Sequence, residues 1–341
     1  MGCITTLPVV DLRTSAAQLQ RGLREAAHEV GFFYLTGHGV PDGLSRRVLA
    51  AARRLFGLPQ PERDAVAMVR SPHFRGYTRM GGELTRGQVD WREQIDIGPE
   101  RAPIGGPGKP DYLWLQGPNQ WPAALPELPG IVDEWDTALS AVARTLLRHW
   151  AASLGSPPDV FDRAFAETPA TLIKIVRYPR SAASPQGVGP HKDSGVLTLL
   201  LAEPGSRGLQ VRRPGTQEWI DVPPVDGAFV VNIGELLEVA TGGYLRATEH
   251  RVNLEGQPAD RISVPYFFNP RLDARIPVLT LSPDLRAHAG RVTDPADPIF
   301  SVYGRNAWKS RLRAHPDVAS AHGYSAGRVG TENPVLGSRG E

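Results

Sequence analysis

The pattern that most limits what this chain can fold into lies in its second half. From Thr171 onward, short apolar runs recur at close intervals, at residues 172–176, 196–201, 208–211, 219–222, 228–233 and 262–268. Gly, Pro and Asp separate them. Short runs with turn residues between them are the mark of strands in a β-sandwich or barrel. A mainly β core is therefore expected.

The first half reads differently. Leu19, Leu23, Ala26, Ala27 and Val30 recur at spacings of three and four, which predicts a helix capped by Thr14 or Ser15 and stopped at Gly31. Phe32-Phe33-Tyr34-Leu35 predicts a short buried strand, ended by Gly37-His38-Gly39. A second helix follows, with Leu44, Val48, Ala51, Ala52 and Leu55 on one face and Gly57 and Pro59 at its end. Residues 71–130 are rich in Gly and Pro and predict loops and short strands. A long helix is expected over about 130–154, with a stripe of Val132, Trp135, Leu139, Val142, Leu146 and Trp150. The fold class is thus α+β, a β core with a helical N-terminal region.

Composition narrows the function. Of 341 residues, 41% are hydrophobic and 22% charged, as in a globular protein with a full core. The net charge of +2 is interspersed, which gives no reason to expect nucleic acid or an anionic membrane as partner. Residues 1–10 have neither a basic start nor a long apolar run, so neither a signal peptide nor a membrane span is expected. The single cysteine, Cys3, excludes an internal disulfide and a cysteine-based zinc site. A cytoplasmic setting follows as the expectation.

The chemistry concentrates in His191-Lys192-Asp193, just before the run at 196–201. Were the triplet in a strand, its imidazole and carboxylate would share one face. His250, in Thr248-Glu249-His250-Arg251-Val252, is the best third ligand. Two His and one carboxylate leave coordination positions open, which suits iron(II) that must also bind dioxygen and a co-substrate. A second triplet of the same form, His315-Pro316-Asp317, contains a proline and precedes no strand, and is assigned to chance. In Arg261-Ile262-Ser263, period two puts the guanidinium and hydroxyl on one face, a receptor for a carboxylate; a rim salt bridge is the plainer alternative.

These motifs together resemble the 2-oxoglutarate and iron(II)-dependent dioxygenases, in the branch that contains isopenicillin N synthase. The similarity spans roughly residues 7–318. It includes Pro8-Val9-Val10-Asp11-Leu12, Gly31-Phe32-Phe33-Tyr34, Asp90-Trp91-Arg92-Glu93, Tyr178-Pro179, Val231-Asn232-Ile233-Gly234 and Glu249-His250-Arg251-Val252. The resemblance implies a double-stranded β-helix (jelly roll) with supporting helices. It implies His191, Asp193 and His250 as iron ligands, Arg261 and Ser263 on the far carboxylate of 2-oxoglutarate, and Tyr178 as a further co-substrate contact. It implies oxidation of a small molecule by O2 with release of succinate and CO2, with ascorbate as a helpful additive in vitro. Val176 stands where many plant members have an asparagine, and Glu235 where an aspartate is usual. The expected organisation is a helical and loop region at 1–155 packed on a dioxygenase core at 156–318, with a flexible tail at 319–341, all one structural unit.

For the substrate, Lys174, Val176 and Tyr178 alternate on one strand face, and Arg92, Gln94 and Asp96 on another. Lys174 is expected to meet a carboxylate or else to be solvated at a sheet edge. Gln94 and Asp96 suggest a small polar substrate whose amine meets Asp96, or else they satisfy surface loops. Arg75 and Tyr77 lie in a Gly-rich loop suited to a lid. Hydroxylation, desaturation and cyclisation all remain open, as do a 2-oxoglutarate-independent oxidase and an ethylene-forming fragmentation of 2-oxoglutarate. A regulatory β-barrel with a vestigial metal site is the reading from another class.

Overall fold

A computed structural model describes residues 6–180, 183–257, 259–290 and 297–324. Cys3 and residues 325–341 fall outside the described residues. Fourteen strands are described: β1 (Val9–Asp11), β2 (Phe32–Thr36), β3 (Gly76–Thr78), β4 (Glu83–Thr85), β5 (Gln88–Asp90), β6 (Glu93–Ile97) and β7 (Leu172–Tyr178), then β8 (Gln186–His191), β9 (Leu197–Ala202), β10 (Leu209–Arg212), β11 (Trp219–Asp221), β12 (Phe229–Ile233), β13 (His250–Asn253) and β14 (Arg261–Phe268). The helices are α1 (Ala16–Glu29), α2 (Asp42–Gly57), α3 (Gln60–Ala65), α4 (Leu128–Ser153), α5 (Glu235–Ala240), α6 (Pro283–Ala287), α7 (Tyr303–Ala314) and α8 (Pro316–Ala321).

Eight strands form a large sheet in the order β1-β2-β12-β9-β14-β7-β6-β3, and four form a small one in the order β11-β10-β13-β8. Strands from both halves of the chain thus share the large sheet. β2 shows why an unbroken apolar run was needed there. Phe33 and Leu35 join the core under the helices, whereas Phe32 and Tyr34 join a second core with Val188, Val211 and Val252 of the small sheet. Both faces are buried, so no polar alternation appears.

The helices form where periodicity placed them. Leu19, Leu23, Ala26 and Ala27 of α1 are buried, and Ser15 stands at its N-cap. Trp135, Leu139, Leu146 and Trp150 of α4 are buried against the large sheet's side of the core. Gly31 ends the first helical region at φ 75°, and a Cβ there would lie 2.2 Å from the Arg246 carbonyl oxygen. Only glycine tolerates that position.

Three expectations need correction. His191 and Asp193 do not sit on one strand: β8 ends at His191, and Asp193 lies in the turn before β9. Nor does the tail begin at 319. Helix α8 runs to Ala321 with Ala319 buried, and the Tyr324 hydroxyl donates to the Pro72 carbonyl at 2.8 Å. Finally, β8 and β13 are strands although neither contains an apolar run. No described helix is long and apolar enough to cross a membrane.

Candidate active site

β8 and β13 are antiparallel neighbours in the small sheet, with His191 directly opposite His250. Cross-strand partners lie close enough for their side chains to meet, and the two rings are 4.2 Å apart between centroids. The turn after His191 then folds the Asp193 carboxylate toward both rings. Its Oδ1 lies 3.7 Å from His191 Nε2 and 3.9 Å from His250 Nε2. One donor atom from each residue lies within 4.8 Å of the others.

The orientation of each group is fixed from behind. His191 Nδ1 bonds the Gly189 carbonyl at 2.8 Å, and His250 Nδ1 bonds the Thr248 carbonyl at 3.2 Å. A carbonyl can only accept, so Nδ1 carries the proton and the Nε2 lone pair of each ring faces inward. The second carboxylate oxygen, Oδ2 of Asp193, accepts from Thr198 Oγ1 at 2.6 Å and Asn232 Nδ2 at 2.8 Å. Phe32 packs its ring edgewise against His250, with centroids 5.1 Å apart. Burial and the facing His250 push the His191 imidazole down to about 3, while the two imidazoles draw Asp193 below its ordinary value against its burial. His191 and Asp193 are therefore held in the deprotonated form a metal needs. Two neutral imidazoles and one carboxylate, all preoriented, fit iron(II) with open positions.

Arg261, Ser263 and Tyr178 lie on the face of the large sheet that looks toward this cluster. Ser263 pairs with Val176, and Arg261 with Tyr178. The Arg261 guanidinium lies 4.8 Å from the centre of the Tyr178 ring and donates to Ser263 Oγ at 3.1 Å. It is buried without an ion-pair partner among the described residues, and burial lowers its pKa. A lone buried guanidinium is costly unless a ligand anion meets it. The residues fit a dicarboxylate.

The comparisons agree with this geometry. Residues 7–124 match the family non-haem dioxygenase in morphine synthesis N-terminal, and residues 170–270 match the 2OG-Fe(II) oxygenase superfamily. The chain is 36% identical, over 92% of its length and 90% of the relative, to 2-oxoglutarate-dependent dioxygenase frbJ of Dothideomycetidae sp. (strain 11243). The chain belongs to the 2OG-Fe(II) oxygenase superfamily. This oxygenase is also 34% identical to homoarginine-6-hydroxylase 2-ODD-C23 of Glycine max, over 85% of the chain and 87% of the relative. Its fold matches JOX2, solved in complex with 2OG, Fe and JA, with TM-score 0.70, 25% identity and coverage of 93% and 89%. It matches a 2OG-Fe(II) oxygenase family protein from Caulobacter crescentus, with TM-score 0.73, 23% identity and coverage of 91% and 99%. The fold is the expected jelly roll, and iron(II) and 2-oxoglutarate are the oxygenase's cofactor and co-substrate.

The remaining sequence candidates divide. Gln94, Asp96 and Lys174 are buried on the inward face, with Asp96 opposite Lys174 and Gln94 opposite Val176. Asp96 does not await a substrate amine. Its Oδ1 accepts from Gln94 at 2.6 Å, and its Oδ2 meets Arg311 at 2.5 Å and Lys174 at 3.4 Å. Lys174 is not solvated at an edge, for it also donates to Glu83 at 2.7 Å. Tyr77 is opposite Ile95, hence on the other sheet face, where its hydroxyl bonds Glu93. Arg75 is buried and is not part of an open lid. His315 stays out of the metal cluster but is buried, 3.5 Å from Glu83.

Sequence reasoning gave no role to Thr198, Asn232, Glu83 or Arg311. Thr198 and Asn232 did carry a signal, as single polar residues inside buried apolar runs.

Proposed function

We propose that this oxygenase holds iron(II) on His191 Nε2, Asp193 Oδ1 and His250 Nε2, and the far carboxylate of 2-oxoglutarate on Arg261 and Ser263 beside Tyr178. The observation that carries the reading is the convergence of two tautomer-fixed imidazoles and one carboxylate oxygen opposite a buried, unpaired guanidinium. When bound, iron(II) and 2-oxoglutarate supply the oxidising power, from reduction of O2 coupled to decarboxylation of 2-oxoglutarate to succinate and CO2.

The chain's own share is positioning. The Gly189 and Thr248 carbonyls hold both rings as neutral ligands, and Thr198 with Asn232 leaves one oxygen of Asp193 free to ligate. The apolar lining from Phe32, Val176, Val188 and Val230 limits water beside the reacting atoms.

The oxidised molecule, in this reading, is a small polar metabolite held by the wall of β6, β7 and α7. The polarity of Gln94, Asp96, Lys174 and Arg311 supports it, and the hydroxylase of Glycine max named above makes amino acids the first class to test. Residues 156–318 then hold most of the metal and co-substrate machinery, and residues 1–155 supply part of the substrate wall. A cytoplasmic setting, supported by the single cysteine, completes the reading. The test is succinate release from 2-oxoglutarate with iron(II), ascorbate and a panel of amino acids. Arg261→Gln should raise the Kd for 2-oxoglutarate roughly thirtyfold or more, the usual cost of breaking a buried charge pair. Product formation without 2-oxoglutarate consumption would instead favour an oxidase.

A further inference from the structure

Four arginines are buried among the described residues: Arg75, Arg92, Arg261 and Arg311. Arg92 meets Glu83 and Asp90, and Arg311 meets Asp96. Arg261 and Arg75 alone among these four have no ion-pair partner there. The reading above gives Arg261 its counter-ion in 2-oxoglutarate. Arg75 is left over.

Its surroundings form a built site. Gly98 follows β6 directly and pairs its backbone N–H and carbonyl with the Asn119 side chain. The Arg75 guanidinium lies directly over it, so that a Cβ on Gly98 would sit 2.2 Å from Nη2. Nη2 donates to the Leu115 carbonyl at 2.9 Å, and Nε is buried without a partner. Buried Arg311 and buried Tyr303 flank it electrostatically, and Tyr303 hydrogen-bonds Asn269. Asn269 in turn accepts the Val196 N–H at 3.2 Å, in the turn that carries Asp193. Arg75 thus neighbours α7, whose Tyr303 reaches the metal turn through Asn269.

One neutral carbonyl does not offset this burial. Desolvating an ion costs several kcal/mol, against about 1.5–3 kcal/mol from a charged hydrogen bond. Burial and Arg311 draw Arg75 down to about 10, against the weaker pull of Asp96, Tyr303 and Glu100. Arg92, Lys174 and Arg311 each have a carboxylate within ion-pair distance, whereas Arg75 has none among the described residues.

We propose that Arg75, backed by Arg311 and Tyr303, receives a carboxylate of the substrate, so that the molecule this enzyme oxidises is a carboxylic acid. The proposal rests on the substrate wall assigned above and reverses the expectation that an acid, Asp96, does the recognising. Planar guanidinium donors suit a carboxylate.

The test uses the iron(II)- and 2-oxoglutarate-loaded protein without oxygen, titrated calorimetrically with amino, aliphatic and aromatic acids and with the carboxamide of each. At least one acid should bind, and its amide should bind roughly thirtyfold more weakly or worse, the scale of one lost buried charge pair. Arg75→Leu should bring the acid down to the amide's affinity while the Kd for 2-oxoglutarate stays near the wild-type value. Acids and amides that bind alike, no acid that binds, or an unchanged acid affinity in Arg75→Leu would each overturn the proposal. Should Arg75→Leu fail to fold, Tyr303→Phe and Gly98→Ala, which displaces the guanidinium, must show the same selective loss; if neither does, the proposal falls. The 2-oxoglutarate titration precedes the acids. A wild-type protein that fails to bind it counts against the co-substrate site, not against Arg75.

Discussion

At the scale of single residues, Asp193 divides its two oxygens between two tasks. Oδ1 faces the imidazoles and Oδ2 is bonded by Thr198 and Asn232. Asn232→Leu removes one of those bonds and frees the carboxylate to rotate. Iron(II) affinity should fall by about 10–100-fold, the usual cost of losing such a support. Anaerobic iron titration reads this, and an unchanged affinity would refute it. His191, Asp193 and His250 were legible because their residue types and neighbours are distinctive. Their supports were not, because Thr198 and Asn232 meet only when β9 and β12 pair. The depressed His191 gives a second prediction. The imidazole ordinarily titrates at 6.5 and here near 3, so over that window the unfolded chain takes a proton that the fold refuses. Metal-free protein should therefore lose stability as pH falls from 6.5 toward 3, by up to about 1.4 kcal/mol per pH unit from this group. His191→Asn should flatten the dependence of Tm on pH. Parallel slopes in the two proteins would sink the attribution.

At the scale of elements, legibility followed burial. Helices α1, α2 and α4 each bury one apolar stripe, so the periodicity of three and four shows in the sequence. Helix α7 does not, since it buries Asn306 and Arg311 along with Tyr303 and Trp308. Arg311 bonds Asp96 and Asn306 bonds the Phe300 backbone, so polar residues interrupt the buried face and no continuous stripe was there to read. β8 was hidden for another reason. Its sequence, Gln186-Gly187-Val188-Gly189-Pro190-His191, has residues disfavoured in strands. Gly187 is required by close approach: a Cβ would lie 2.9 Å from Tyr178 Cδ1 and 2.9 Å from Val252 Cγ1. Gly187→Ala should push Tyr178 away from Arg261 and weaken 2-oxoglutarate binding by about tenfold, within the 1–3 kcal/mol of a typical overpacking. Iron affinity should change little. Equal loss of both ligands would indicate general unfolding of the small sheet instead.

At the scale of the whole molecule, buried charges join segments far apart in sequence. Glu83 of β4, Asp96 of β6, Lys174 of β7 and Arg311 of α7 form one connected set, with His315 against Glu83. Apolar patterning cannot reveal such a set, because each member reads as a surface residue until the fold buries it. Asp96 is its hinge, since Lys174 and Arg311 both converge on it. Asp96→Asn leaves Arg311 with no ion-pair partner and Lys174 with Glu83 alone. A buried ion stripped of its partner typically costs about 3–5 kcal/mol, and that loss is expected in urea unfolding. Arg311→Met should cost less, because Asp96 keeps Lys174. In the double variant, Asp96→Asn with Arg311→Met, no guanidinium is left stranded beside the amide. The combined loss should fall short of the sum of the single losses by about 1–3 kcal/mol, the coupling expected of groups in direct contact. Simple additivity would mean that the two charges are held apart by water in solution, and that α7 is held by packing alone. A measured coupling would instead show that α7 is anchored electrostatically, through Asp96, to the strand that also carries Gln94.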